Sequence, residues 1–366
     1  MEVVSSPSKR TICFALQQSG DWGRFEWYTF DLSSEDPIIT NCSSSNYVHV
    51  HAYSDEIEEE FESLTPKAYL YNDEARLPGW AVVGGHQLYA LGGSGKSCKR
   101  YSNSVRRNDL LVSPRLCDPQ TLGVPDKGWC RLPRMLSRRE EPQSAVVGDK
   151  IYVFGGAMGR YYKPSNRHPW SEVYDPKYNT WMPLPPPPFL PTRDFLLASW
   201  EGEETTHAYI AILSIHDRVS LLYDVDDRRW TQSEFPYHVD FAHGSAVVAG
   251  GLFYWFSPSE GNLHAYDLDS KVLYTSSPVD PTFVNGLLRD EADPMLGHLG
   301  GDTFCLLYSL YSKVDPSTRT ERRFLHCLKF NVTFDPNPTR RRIKISLGFC
   351  QSYLVKHGFL CKGVLL

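Results

Sequence analysis

A tyrosine followed seven residues later by a tryptophan occurs twice in mid-chain, and this phrase narrows the fold more than any other feature. It reads Tyr-Asp-Pro-Lys-Tyr-Asn-Thr-Trp over 174–181 and Tyr-Asp-Val-Asp-Asp-Arg-Arg-Trp over 223–230. Looser copies stand at Tyr266-Asp267-Leu268 with Tyr274 and at Cys117-Asp118-Pro119 with Trp129. The closing aromatics fall at 129, 181, 230 and 274, spaced by 52, 49 and 44 residues. A period of that size marks an array of four-stranded units, none of which can bury its own apolar face alone.

Strand signals fill each unit. Ile151–Phe154 is a short β-rich run closed by Gly155-Gly156, and Leu88–Leu91 is closed likewise by Gly92-Gly93. Each follows a second apolar run and a Gly-containing turn, Ala145–Val147 in one case and Ala81–Val83 in the other, which reads as a hairpin. Ala246–Val248, Gly250-Gly251 and Leu252–Trp255 make a third copy. No segment of ten residues carries a helical period, and the acidic stretch 54–62 reads as a loop or a single turn. Pro183, Pro185–Pro188 and Pro191 predict an extended polyproline linker between two units.

A hydrophobic run, a glycine doublet, then a Tyr placed before a Trp resembles the kelch repeat. That resemblance implies an all-β fold, a kelch-type β-propeller of four-stranded blades around a central channel. Residues 1–366 are expected to form a single propeller, with the best copies over 80–280 and blades at about 80–135, 143–185, 193–235 and 243–280. Tyr274 is expected to replace the Trp in the last of these. Strand-like runs at 12–16, 25–30, 304–308 and 325–330 bring the favoured count to six blades, with seven as the alternative. Ser352–Val355 and Phe359-Leu360 are expected to close the ring against the N-terminal strands, which removes an open sheet edge.

The repeated residues themselves read as structural. A buried Trp or Tyr removes roughly 150–250 Å² from water, on the order of 4–6 kcal/mol by area. The glycine doublets let backbones approach where a Cβ would clash, and the Asp after each Tyr suits a turn whose amides it can cap.

Composition closes off several function classes. A formal net charge of -5 lacks the basic footprint of nucleic-acid binders, and Arg340–Arg342 reads as a solvated loop. No apolar run is long enough for a signal peptide or a membrane span. Nine cysteines without a CxxC pair point to a reducing compartment, so a cytoplasmic or nuclear location is expected.

Chemistry is sparse. Gly92–Ser97 ends like a phosphate loop, but its required first glycine would fall at Ala90. His49/His51, His238/Asp240/His243 and the 290–298 cluster offer ligand types without an established count, so no metal and no cofactor is expected. The kelch resemblance implies instead that segments just before each first strand line the channel mouth. Arg139, Gln143, Arg193, Asp240 and His243 are the expected partner contacts, with arginine forks suited to carboxylates.

Composition and blade style are similar to the plant F-box/kelch proteins, which present substrates to a cullin-type ubiquitin ligase. The resemblance carries a relation to ubiquitin-ligase substrate recognition as an expectation, while no helical F-box pattern, which would recruit the cullin ligase, precedes the strand-like run at Thr11. The expectation is an intracellular protein-interaction module that binds a protein partner, with no nucleic acid and no membrane. The alternative is a small-molecule enzyme (isomerase, oxidase or specifier-like) that uses the central pocket.

Overall fold

A computed structural model describes residues 10–17, 24–32, 62–63, 68–71, 78–94, 101–110, 129–156, 165, 167–191, 195–201, 207–237, 246–279, 294–311, 323–355 and 359–365. Their regular structure is strand apart from a 3-10 turn at Pro338–Arg340. No helix among them is long and apolar enough to cross a membrane. The class is all-β, with four-stranded antiparallel sheets of the kind that the kelch resemblance implies. The chain forms two compact units, one built mainly from 67–238 and the other mainly from 239–365 with N-terminal segments.

The 67–238 unit holds three four-stranded antiparallel sheets, each in strict chain order. The first comprises Gly79–Val83, Gln87–Leu91, Val105–Asp109 and Cys130–Leu132. The second comprises Gln143–Val147, Lys150–Phe154, Ser171–Asp175 and Thr180–Pro183. The third comprises Leu196–Glu201, Ala208–Ser214, Val219–Asp224 and Arg229–Glu234. All three expected hairpins form, including the one between Ala246–Ala249 and Leu252–Ser257 in the other unit.

The seven-residue phrase records a turn. Asp175 pairs with Thr180 and Tyr174 with Trp181, while Asp224 pairs with Arg229 and Tyr223 with Trp230. Four residues fill each turn, and its last residue, Asn179 or Arg228, is left-handed at φ 54. The Asp carboxylate caps the turn: Asp175 Oδ1 accepts from Lys177 N at 3.0 Å, and Asp224 Oδ1 from Asp226 N and Asp227 N at 3.0 and 2.9 Å. Opposed residues share a face, so each Tyr lies on its Trp, with ring centroids 5.1 and 4.8 Å apart.

That pair then packs on the preceding sheet. Tyr174 and Trp181 join Ala81, Tyr89, Leu91 and Val105 of the first sheet, and Tyr223 and Trp230 join Tyr152, Phe154 and Trp170 of the second. Each indole N–H donates to a proline carbonyl in the linker before its own sheet: Trp181 Nε1 to Pro133 O and Trp230 Nε1 to Pro185 O, both at 2.9 Å. The Trp therefore joins sheet, preceding sheet and linker.

In the other unit, Ala246–Ala249, Leu252–Ser257, Asn262–Asp267 and Leu273–Pro278 form one antiparallel run. Met295–Gly300, Thr303–Tyr311, Arg323–Phe334 and Arg342–Val355 form the next. The two join through parallel pairs, Thr275 with Arg342 and Ser276 with Ile343. Tyr254, Phe256, Leu263, Phe304, Leu306 and Phe330 pack as their common core.

Two expectations change here. The residue opposite Tyr266 is Leu273, still seven residues on, so Tyr274 lies one register off and on the opposite face, where it meets Phe334 edge-on at 5.1 Å. Ser352–Val355 pairs with the 323–334 strand and, in parallel, with Glu62–Ser63, whereas it is Phe359–Leu365 that pairs with Ile12–Gln17. The strand Met295–Gly300, which carries no repeat signal, completes the last sheet. Arg340, Arg341 and Arg342 are exposed, as expected of a solvated loop.

Candidate functional site

A four-stranded antiparallel run has two ends. The first-to-second and third-to-fourth turns lie at one end; the second-to-third connections and the linkers between sheets lie at the other. The segments expected to contact a partner precede first strands, so in the 67–238 unit they belong to the linker end. Gln143 is there, half-buried and paired with Phe154. Arg193, Asp240 and His243 lie outside the described residues.

Arg139 is at the linker end but turned inward. It is 0% exposed, as is the Glu172 carboxylate beside it. Its Nε and Nη2 donate to Glu172 Oε1 at 3.0 and 2.9 Å, Nη1 donates to Gly155 O and Trp170 O at 2.5 and 2.7 Å, and Nη2 donates to Pro169 O at 2.8 Å. All five guanidinium N–H groups are thereby used, which leaves none for an outside carboxylate. Glu172 also accepts from Leu136 N at 2.6 Å and Ser137 N at 3.2 Å. The expected contact is a buried clamp that holds the 133–139 linker onto the second sheet. Isolated arginine reading could not find this, because its signal is the pairing with Glu172, 33 residues away.

The glycine doublets fit around the clamp. A Cβ on Gly92 would stand 2.5 Å from Arg139 O, and one on Gly156 2.8 Å from Glu140 O. Gly93 N donates to Arg139 O at 2.8 Å.

The turn end is open. Turns of all three sheets surround a cleft of about 1080 Å³. The turns at 84–87, 148–150, 175–178 and 225–226 contribute, together with Arg107, Glu201 and Ala208. Lys150 Nζ lies 3.3 Å from Asp175 Oδ2, with the lysine 47% exposed. Burial works to raise the Asp175 pKa, but Lys150 and the amides of Lys177 and Tyr178 outweigh it and hold the carboxyl below its usual range. Tyr178 is 67% exposed, with Lys177 Nζ 5.5 Å from its ring centre. Deeper in, burial pushes the Tyr152 phenol up to about 12, so it stays protonated at neutral pH.

Among the described residues the lining holds no serine, threonine or cysteine. Charges of both signs and an exposed ring suit recognition of a polar surface. At the rim, His207, Asp224 and Asp226 bring ligand atoms within 4.8 Å of one another, a group the sequence reading did not single out. Its atoms serve the turns: His207 Nδ1 is 3.1 Å from Asp224 Oδ2, and Asp226 Oδ2 accepts from Ala208 N at 2.9 Å. The bond to Asp224 raises the His207 pKa above its ordinary value. His298, placed by sequence in a ligand cluster, lies 2.9 Å from Gly301 O across a tight turn.

Comparison with known proteins agrees with this architecture. The kelch motif family matches residues 138–188, the second sheet with its clamp. Two F-box/kelch-repeat proteins of Arabidopsis thaliana are 30% and 31% identical over 173 and 181 residues, covering 47% and 48% of this chain and 44% and 40% of theirs. A further Arabidopsis protein of that description is 45% identical over 104 residues, 28% of this chain and 22% of its own. The chain thus spans less than half the length of these relatives. A solved structure described as "Structure of YjhT" aligns over 75% of this chain and 97% of its own, at 12% identity and a TM-score of 0.40. The chain thus carries a kelch motif, seated on the clamped sheet, and resembles plant F-box/kelch-repeat proteins.

Proposed function

We propose that this kelch-repeat protein is a protein-interaction module that grips its partner in the cleft at the turn end. The supporting observation is convergence: turns separated by up to 140 residues, from His86 to Lys177 and on to Asp226, meet around one opening. Tyr178 supplies an exposed aromatic anchor, Lys150 and Lys177 suit carboxylates, and Glu201 and Asp226 suit a basic group. The names of the relatives support a finer form of the proposal, in which the partner is a substrate of a ubiquitin ligase.

Affinity purification of the full chain tests both placements. Loss of a specific partner with Lys177→Glu plus Tyr178→Ala, and its retention with Arg193→Ala plus His243→Ala, supports the cleft. The reverse pattern moves the contact to the linker end, with Gln143, Arg193, Asp240 and His243 as its residues. Retention by both double variants rejects the proposal. A cullin-type ligase component among the specific partners supports the finer form.

A further inference from the structure

The segment Leu184–Pro188 joins the second sheet to the third, and the cleft does not use it. Proline fixes its own φ near −65° and drives the residue before it out of the helical region. Leu184, Pro185, Pro186 and Pro187 each precede a proline, so polyproline II is the conformation open to them. Pro188 precedes Phe189 and is the first residue released from that restriction. The chain bends at Pro188 and Phe189.

A polyproline II helix has three residues per turn, so residues i and i+3 share one of three edges. Leu184 and Pro187 share an edge, and both are buried. Leu184 packs in the cluster of Trp170, Phe195 and Ile212. The other two edges face outward: Pro186 and Pro188 are exposed, and Pro185 and Phe189 are half-buried. Backbone bonds hold the buried side in place, with Leu184 N donating to Ser171 O at 3.1 Å and Trp230 Nε1 to Pro185 O at 2.9 Å. The result is a short, preordered segment anchored through Leu184, Pro187 and Phe189, which packs against the same cluster, with Pro186 and Pro188 left outward.

Aromatic-grooved modules bind polyproline segments because the ligand is already in its bound conformation and little ordering entropy remains to be lost. We propose that Pro185–Pro188 is a docking ligand for a small protein module whose groove is formed by a pair of aromatic rings, of the WW type. The four residues Leu184–Pro187 at about 3.1 Å each extend roughly 12 Å before the bend, which suits a short groove. Met182 and Leu190 flank the run at 39% and 36% exposure and add apolar surface on either side.

The probe is an isolated, isotope-labelled WW domain titrated with the full chain. The expected result is selective shift or broadening of the groove's tryptophan side-chain signal at sub-millimolar protein. Pro186→Ala plus Pro188→Ala should weaken binding at least about fivefold with an unchanged melting temperature. If that pair lowers the melting temperature, Pro186→Ala alone is read in its place. Lys177→Glu, in the cleft, should leave WW binding unchanged, so failure here and failure of the cleft proposal are told apart. No shift with the parent chain at millimolar concentration overturns the proposal, as does undiminished binding by the folded Pro186 variant.

Discussion

Arg139→Met separates a buried clamp from a partner contact. The substitution keeps an unbranched apolar stem but removes the guanidinium and all five of its donors. Glu172, 0% exposed, then keeps only the Leu136 and Ser137 amides, and no counter-charge remains among its hydrogen-bond partners. Pro169 O still receives Ser137 Oγ at 2.7 Å and Trp170 O still receives Gly155 N at 3.0 Å, while Gly155 O loses the Arg139 Nη1 donor. Breaking a buried pair by removing one partner costs about 3–5 kcal/mol, against about 0.5 kcal/mol or less for an ordinary surface substitution. The Gly155 carbonyl that loses its donor adds to this cost. Arg139→Met with Glu172→Leu removes both charges and should recover most of the loss, since the second change eliminates the unpaired carboxylate. Urea unfolding of parent, both single variants and the double variant at pH 7 gives the coupling energy directly. An Arg139→Met chain within about 1 kcal/mol of the parent, or a double variant as unstable as the sum of the singles, would refute the clamp.

Three further outcomes follow from the geometry. His264 is buried and stacked on Trp255 at 5.1 Å, and burial lowers its pKa from 6.5 to about 4; Glu260, 3.8 Å away, is 40% exposed and screened by water. A depressed folded pKa contributes stability above pH 6.5 that is lost as pH falls toward 4, so from pH 7 to 4.5 this group should cost about 2 kcal/mol, and denaturation of His264→Phe should show a pH slope smaller by that amount. Trp181→Phe and Trp230→Phe each leave a linker carbonyl without its indole donor and should lower stability by about 1–2 kcal/mol, read as a drop in melting temperature; no change would mean the linker bonds are unimportant. Gly85 and Gly92 share φ +71, but a Cβ on Gly85 meets nothing within 4 Å whereas one on Gly92 meets Arg139 O at 2.5 Å. Gly85→Ala should cost about 1–2 kcal/mol from strain alone and Gly92→Ala several times that, so equal costs would sink the close-packing account.

Much of the fold was legible because its signals are local. The Tyr-to-Trp interval encodes a four-residue turn and a cross-strand pair, and the Asp after each Tyr caps that turn, all within eight residues of chain. Hairpins at 81–91, 145–154 and 246–255 were equally readable from their apolar runs and intervening glycines. Register was less secure: Tyr274 resembles the motif aromatic in type, yet a one-residue offset puts it on the other face, and composition does not report which face a strand residue occupies.

The site depended on packing between sheets. An arginine in a polar segment looks the same in sequence whether it faces water or a buried glutamate, and only tertiary contact with Glu172, Pro169 and Trp170 decides for Arg139. The cleft arises likewise, because each turn is ordinary by itself and acquires a common opening only when three sheets stack. The sequence by itself determined the repeat, the strand-turn alphabet and the stiffness of the proline run, since these follow from backbone sterics and side-chain spacing within a few residues. Which charges are buried, which proline edges are free and which end of the sheets opens were decided by the tertiary structure, because burial depends on what distant parts of the chain bring alongside.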